Sequence, residues 1–297
     1  MNTHLTSRRA FINRTAAGLA TLGTYSCGNA ANGESQKQRF PLSLHQFSLK
    51  NLFDDGRLDL LSYPRFVKNR LQISNLEFAA EFCSGLLDSP RQAEAIRRQS
   101  KQVGVTNRMV LCGDSTALDA ANAKQRAMAI TEHLRWAKVA EHLGCQYLRV
   151  RASTEGDRQQ QLENAAAGVG GLCDALKSSK VSVLVENIAA WSSNPDWLVQ
   201  LVKRIGEDRV GLVADFGNFD GNPYEGMKTI LPHTKSICAK SWEFNDAGQE
   251  TKIHYERMMK VIKQSKFRGC VAIEYLGDQP VIGIDRTAAL IRQYGNG

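Results

Sequence analysis

Short apolar runs alternate with longer amphipathic stretches along most of this 297-residue chain. The runs are Leu42–Leu49, Ile73–Phe78, Arg108–Cys112, Tyr147–Ala152, Val181–Asn187, Val210–Phe216, Ser236–Trp242 and Cys270–Tyr275. Their length and Val/Ile/Leu content predict strands buried on both faces, as in a parallel sheet. Between them, stretches such as SPRQAEAIRRQSKQVG and AKQRAMAITEHLRWAKVAEHLG repeat apolar residues at three- and four-residue spacing, which predicts helices. Gly104 and Gly144 supply stop signals, and Asn194 before Pro195 reads as a cap with proline in the first turn. Eight strand–helix units within residues 41–297 predict an α/β fold, a single-domain (β/α)8 TIM barrel. An open doubly wound sheet fits less well, because no Gly-x-Gly-x-x-Gly turn follows the first strand.

The pattern breaks at the N-terminus. Ser7-Arg8-Arg9-Ala10-Phe11-Ile12, then Arg14 and the mild apolar stretch TAAGLATLGTYS, match a twin-arginine export signal over residues 1–31. The apolar stretch is too short for a stable membrane span. Export places the remaining chain in the periplasm. A lipid anchor at Cys27 is the variant of this reading, against which the bulky Tyr25 counts. Residues 32–40 read as a linker.

Without residues 1–31, which hold three arginines and no acid, the net charge falls from +8 to +5. No block of like charge remains, so nucleic acid is not an expected partner. The seven cysteines form no C-x-x-C pair, and those beyond the leader sit in or beside apolar runs, as packed thiols do. Nothing in the pattern specifies an oligomeric state.

Candidate chemistry comes from the ends of the runs. Glu186 closes VSVLVEN, Asp215 closes VGLVADFGN and Glu274 closes GCVAIEY. In a parallel barrel the carboxyl ends of all strands face one rim, so these three acids are expected to converge. Carboxylates that share a site repel one another unless a cation sits among them or one keeps a proton. The alternative is a set of separate ion pairs and helix caps around the rim. One divalent metal ion on Glu186, Asp215 and Glu274 is expected, manganese or magnesium by the hardness of the oxygen ligands, with zinc or cobalt as alternatives. Such an ion polarises a sugar carbonyl while Glu186 and Glu274 move the neighbouring carbon-bound proton. That chemistry is isomerisation or epimerisation of a small carbohydrate through an enediolate.

The same rim is expected to carry His45, Glu77, Arg149 and Trp242 toward substrate, with Arg151 on the same face as Arg149. Lys240 either neutralises part of the carboxylate cluster and holds a substrate oxygen or is a solvated strand-end lysine. Trp191 and Trp242 either stack on a sugar ring or pack into the core. His133, His142 and His254 fall in helical stretches and read as surface or packing residues.

Taken in order, Glu186-Asn187 with Ser192-Ser193-Asn194, Asp215-Phe216-Gly217-Asn218-Phe219, Ala239-Lys240-Ser241 and Ile273-Glu274-Tyr275 form a set of strand-end motifs. In these the chain resembles the sugar phosphate isomerase/epimerase superfamily with the xylose-isomerase-like barrel, in an exported bacterial branch. The resemblance covers essentially everything after the leader. It implies a metal-dependent site with Glu186, Asp215 and Glu274 as ligands and Glu186 and Glu274 placed for proton transfer.

The superfamily usually adds a histidine ligand from the seventh strand, within a His-x-Lys-Asp-like stretch. Here that strand reads Ser236-Ile237-Cys238-Ala239-Lys240-Ser241, and Ile188 follows Glu-Asn where histidine is common. Cys238 as a thiolate ligand would favour zinc; a packed strand cysteine is the expected reading. The runner-up activity is a lyase or hydrolase on oxidised (3-keto) sugars or glycosides. A degraded barrel that only binds sugar is the non-enzymatic alternative. A phosphodiester-cleaving multi-metal centre needs several rim histidines, and His45 alone is expected there.

Overall fold

Backbone pairing closes eight strands into a ring. They are β1 (Leu42–His45), β2 (Asn75–Ala79), β3 (Thr106–Leu111), β4 (Tyr147–Val150), β5 (Ser182–Glu186), β6 (Val210–Asp215), β7 (Thr234–Ser241) and β8 (Cys270–Tyr275). Each pairs in parallel with the next, and β1 returns to β8, so the sheet has no free edge. The computed structural model describes residues 39–113 and 117–296; the export signal, Cys27 and residues 32–38 of the linker lie outside the described residues. The expected (β/α)8 TIM barrel is the fold of this chain.

Helices follow the strands where the amphipathic spacing predicts them. The longer ones are α1 (Pro90–Gln102), α2 (Ala123–Leu143), α3 (Arg158–Ala175), α4 (Pro195–Ile205), α5 (Pro223–Ile230), α6 (Tyr255–Lys263) and α7 (Pro280–Gly295). The first crossover, between β1 and β2, is made instead by the short helical turns Lys50–Asp54 and Tyr63–Leu71. Local chemistry sets the ends. The Asn194 side chain accepts a hydrogen bond from the Trp197 amide, with Pro195 in the first turn of α4. Gly144 stops α2 with φ of 77°, a left-handed geometry that glycine adopts without strain.

The first apolar run does not stay extended to Leu49. β1 ends at His45 and Gln46–Leu49 turns into a 3-10 helix. Side chains take over the backbone bonding there. His45 Nδ1 accepts from the Phe47 amide at 3.2 Å, and Gln46 Oε1 accepts from the Ala79 amide at 2.8 Å. Phe40, read from the sequence as the last linker residue, is buried beside Phe267 below the start of β1.

Two apolar layers result from strand alternation. The larger lies between barrel and helices. The smaller fills the barrel interior with Ala79, Met109, Leu111, Leu184, Val213 and Cys238. That plug supports the polar rim from below. Against the outer side, α3 comes so close to the loop before α2 that a Cβ on Gly168 would lie 1.7 Å from the Leu118 carbonyl oxygen.

Candidate active site

Strand register decides which rim residues meet. His45 is opposite Glu77, Asp215 is opposite Cys238, and Lys240 is opposite Glu274. The β6–β7 register shifts between Leu212 and Val213, which brings Cys238 level with Asp215. Glu186 ends β5, next to β6. All of these side chains sit on inward positions, Cys238 at the top of the apolar plug and the others above it. His45, Glu77, Arg149, Glu186, Asp215, Lys240 and Glu274 are each at least nine-tenths covered.

Lys240 lies between two of the carboxylates. Its Nζ is 3.0 Å from Asp215 Oδ2 and 3.3 Å from Glu274 Oε2, and donates to Asn218 Oδ1 at 3.0 Å. The solvated reading of Lys240 is therefore not what the fold shows. Arg149 reaches Glu186, with Nε 3.2 Å from Oε2, and donates from Nη1 to the Cys112 carbonyl at 2.8 Å. His45 Nε2 is 3.6 Å from Glu274 Oε1. Because His45 Nδ1 accepts a backbone hydrogen bond, the neutral ring carries its proton on Nε2, toward Glu274.

Burial and charge sort the protonation states. Burial alone would lower the pKa of Lys240, but Asp215 and Glu274 raise it, so it is a fixed cation. Burial lowers the pKa of His45, against the opposing pull of Glu274. Burial, reinforced by Glu186, pushes Glu77 up to about 8, so it holds a proton at neutral pH. Asp215 and Glu274 share one lysine and titrate together. Burial pushes Asp215 up to about 7, whereas Glu274 is pulled down to about 2 by His45 and Lys240 against the effect of burial.

Two contacts hold Asp215 in place. Asn187 clasps its backbone, Nδ2 donating to the Asp215 carbonyl at 3.0 Å and Oδ1 accepting from its amide at 2.7 Å. The Gly217 amide donates to Asp215 Oδ1 at 2.7 Å. Gly217 must lack a side chain, because a Cβ there would meet the Trp242 ring at 2.6 Å. Asn187 and Asn218 stand in the sequence motifs, yet their positioning roles are visible only in the fold.

Trp242 lies one residue beyond β7, half-buried, with Lys252 Nζ 4.7 Å from the ring centroid. It lines a cavity of about 510 Å³ with Phe244, Tyr275 and Arg286. Trp191 is tied elsewhere, its Nε1 donating to the Gly156 carbonyl at 2.8 Å. β4 ends at Val150, one residue before the half-buried Arg151. A larger cavity of about 820 Å³, lined by Arg108, Tyr147, Lys235 and Arg268, opens at the N-terminal ends of the strands. In a TIM barrel that face is not where catalytic residues gather.

The donor chemistry fits a divalent cation. Glu186 Oε2 and Asp215 Oδ2 are buried and accept no hydrogen bond, although each lies beside a cationic side chain. Ligand atoms of Glu186, Asp215 and Cys238 all fall within 4.8 Å of one another. Glu274 stands next to this trio, with Cys238 Sγ donating to its Oε2 at 3.4 Å.

The geometry agrees with solved structures of the same architecture. A D-psicose 3-epimerase crystallised in the presence of D-fructose has a TM-score of 0.67 and 13% identity, covering 86% of this chain and all of that one. An IOLI protein with a bound zinc atom has a TM-score of 0.70 and 12% identity, over 86% and 98% of the two chains. A 3-keto-D-glucoside 4-epimerase from E. coli has a TM-score of 0.67 and 10% identity, over 79% and 94%. None of the curated proteins matches the sequence significantly. At the level of sequence, residues 76–294 match the family described as xylose isomerase-like TIM barrel, from the second strand through nearly all of α7. That match spans most of the chain and coincides with the ring of strands that carries the rim carboxylates, so the protein belongs to the xylose isomerase-like TIM-barrel family.

Proposed function

We propose that this protein is an exported sugar isomerase or epimerase that moves a carbon-bound proton beside a sugar carbonyl through an enediolate. The observation that carries the reading is the closed cluster in which Lys240 stands between Asp215 and Glu274, with Glu186 beside them. A proton acceptor and a fixed positive charge thus share one water-poor site. Such preorganised charge is what a developing oxyanion needs. The epimerases of like fold support a keto-sugar substrate.

Each residue has a part in this scheme. Glu274 is ionised and so is ready to take a proton. When a substrate oxygen draws the hydrogen bonds of Lys240 to itself, Glu274 loses that partner and becomes more basic. Glu186, on β5 with two strands between it and β8, approaches from another side of the ring and returns the proton. Return to the neighbouring carbon gives an isomer; return to the opposite face of the same carbon gives an epimer. Arg149 holds Glu186, and His45 holds Glu274. Trp242, beside its cavity, offers an aromatic face to the sugar ring. A divalent ion, when bound by Glu186 and Asp215 with Cys238 or Glu274, supplies a Lewis acid for the carbonyl and its adjacent hydroxyl.

A lyase on 3-keto sugars is the second reading. Glu77, protonated at neutral pH beside the cluster, is the acid that a leaving oxygen would require in β-elimination. Incubation of the protein with ketohexoses and 3-keto-glucosides, with manganese or zinc added, separates the two by NMR of the products. An isomer or epimer supports the proposal. An unsaturated product establishes the lyase. Sugar binding without any conversion refutes both and leaves a sugar-binding barrel.

A further inference from the structure

We propose that Cys238 is a metal ligand, so that Glu186, Asp215 and Cys238 hold a thiophilic divalent ion of the zinc or cobalt class while Glu274 stays free to carry protons. The inference rests on the metal-assisted form of the function proposed above and specifies which ion that site takes. Sequence alone makes Cys238 a packed strand thiol, and its burial agrees with packing. Its surroundings are only partly apolar. Cys238 packs against the apolar plug on one side, but its Sγ also lies within 4.8 Å of ligand oxygens of both Glu186 and Asp215 and 3.4 Å from Glu274 Oε2, at the boundary between plug and polar rim.

Two further observations point to a ligand inside this triangle. Glu186 Oε2 and Asp215 Oδ2 are buried with no hydrogen bond to satisfy them, which leaves lone pairs for a cation to use. Their side chains are 4% and 0% exposed, so water is excluded, and Arg149 at 3.2 Å and Lys240 at 3.0 Å balance their charge without meeting hydrogen-bond geometry. Glu274 shares Lys240 with Asp215 and has neighbours at both of its oxygens. One of its oxygens faces His45 at 3.6 Å and the other faces Lys240 at 3.3 Å and Cys238 at 3.4 Å. Among the described residues, no other group of three His, Cys, Asp or Glu side chains gathers its ligand atoms as closely.

The donor set fixes the preference. Two carboxylates and a thiolate suit zinc, which takes sulfur and oxygen ligands in a four-coordinate shell with one position open to substrate. Magnesium demands an octahedron of oxygens and gains nothing from sulfur. When the ion binds, the S–H proton of Cys238 is released to solvent and the sulfur lone pair forms the metal bond. The charge balance favours this set too. Arg149 already stands beside Glu186 and Lys240 beside Asp215, so a thiolate adds the negative charge that an incoming dication requires.

Loading the full-length protein with cobalt or zinc tests the proposal by spectroscopy, independent of catalysis. Cobalt on the wild type should show a thiolate-to-cobalt charge-transfer band in the near ultraviolet, and Cys238→Ser should lose it. The preference for zinc over manganese should fall at least about tenfold in Cys238→Ser, because a soft donor is replaced by a hard one. X-ray absorption of the zinc-loaded wild type should show one sulfur at about 2.3 Å. That last measurement needs no variant and decides the matter if Cys238→Ser does not fold. A bound ion with oxygen and nitrogen neighbours only would overturn the thiolate and leave the isomerase reading standing. No uptake of any divalent ion would overturn the thiolate together with the metal-assisted mechanism. Sulfur ligation without conversion of keto sugars would uphold the proposal and remove the isomerase.

Discussion

Lys240→Met removes the charge that the rim is built around while keeping most of the side chain's volume. At an effective dielectric constant of about 20, contacts of 3.0 and 3.3 Å each represent about 5 kcal/mol of gross attraction. Burying the ammonium offsets much of this, so the net loss from orphaning the two carboxylates is about 3–5 kcal/mol. In a domain of this size about 1 kcal/mol moves Tm by roughly 2–4 °C, which gives a drop of roughly 6–20 °C at pH 8.

The penalty must depend on pH, and its sign follows from the carboxylates. In the wild type the pKa of Glu274 is depressed to about 2, so its contribution to stability is full above the ordinary glutamate value and is lost as pH falls toward 2. Without the lysine, burial pushes both Glu274 and Asp215 upward, and each destabilises the native state increasingly as pH rises above the ordinary carboxylate range. The difference between wild type and variant therefore widens from pH 5 to pH 8. Thermal unfolding followed by circular dichroism at both values measures it. A shift below about 2 °C at pH 8, or one equal at the two pH values, would refute the view that Lys240 holds the cluster together.

Other perturbations have equally direct outcomes. Glu77→Gln should flatten the fall in stability between pH 5 and pH 8, because a native carboxyl titrating near 8 makes the wild type lose up to about 4–5 kcal/mol as pH rises past the ordinary glutamate value; a pH series of urea unfolding curves measures this. Asn187→Ala breaks two buried hydrogen bonds to the backbone of Asp215 and should cost about 2–3 kcal/mol in the same assay. Gly168→Ala sets a Cβ against the Leu118 carbonyl and should destabilise by about 1–3 kcal/mol or more, read as a lowered Tm. Trp242→Ala should raise KM for a sugar substrate at least about threefold while leaving Tm nearly unchanged, since the ring is only half-buried at the cavity edge.

The rim was readable because strand-end position is local information. VSVLVEN, VGLVADFGN and GCVAIEY each announce a buried strand closed by an acid, and the parallel topology then brings Glu186, Asp215 and Glu274 together. Lys240 and Arg149 were also legible as rim residues, but not their partners. Which acid faces which cation depends on register, and the shift between Leu212 and Val213 leaves no mark in the pattern. For the same reason the sequence favours a packed cysteine at Cys238 over a thiolate ligand, whereas the fold sets it level with Asp215. The early end of β1 was hidden too. Leu42–Leu49 has strand composition throughout, yet the side chains of His45 and Gln46 capture backbone amides and turn the chain. Asn187 and Asn218 stand in plain view within the motifs, but their hydrogen bonds run to residues 28 and 22 positions away.

Proton exchange at carbon is the step on which the whole account turns. Incubating the metal-loaded protein with ketohexoses and 3-keto-glucosides in heavy water, and following loss of the C–H signal beside the carbonyl by NMR, measures that step without knowing the product. The account predicts catalysed exchange by the wild type, with a loss of at least about 100-fold in both Glu186→Gln and Glu274→Gln variants that retain the native fold. Absence of exchange with every sugar that binds, or exchange unchanged in both variants, would contradict it.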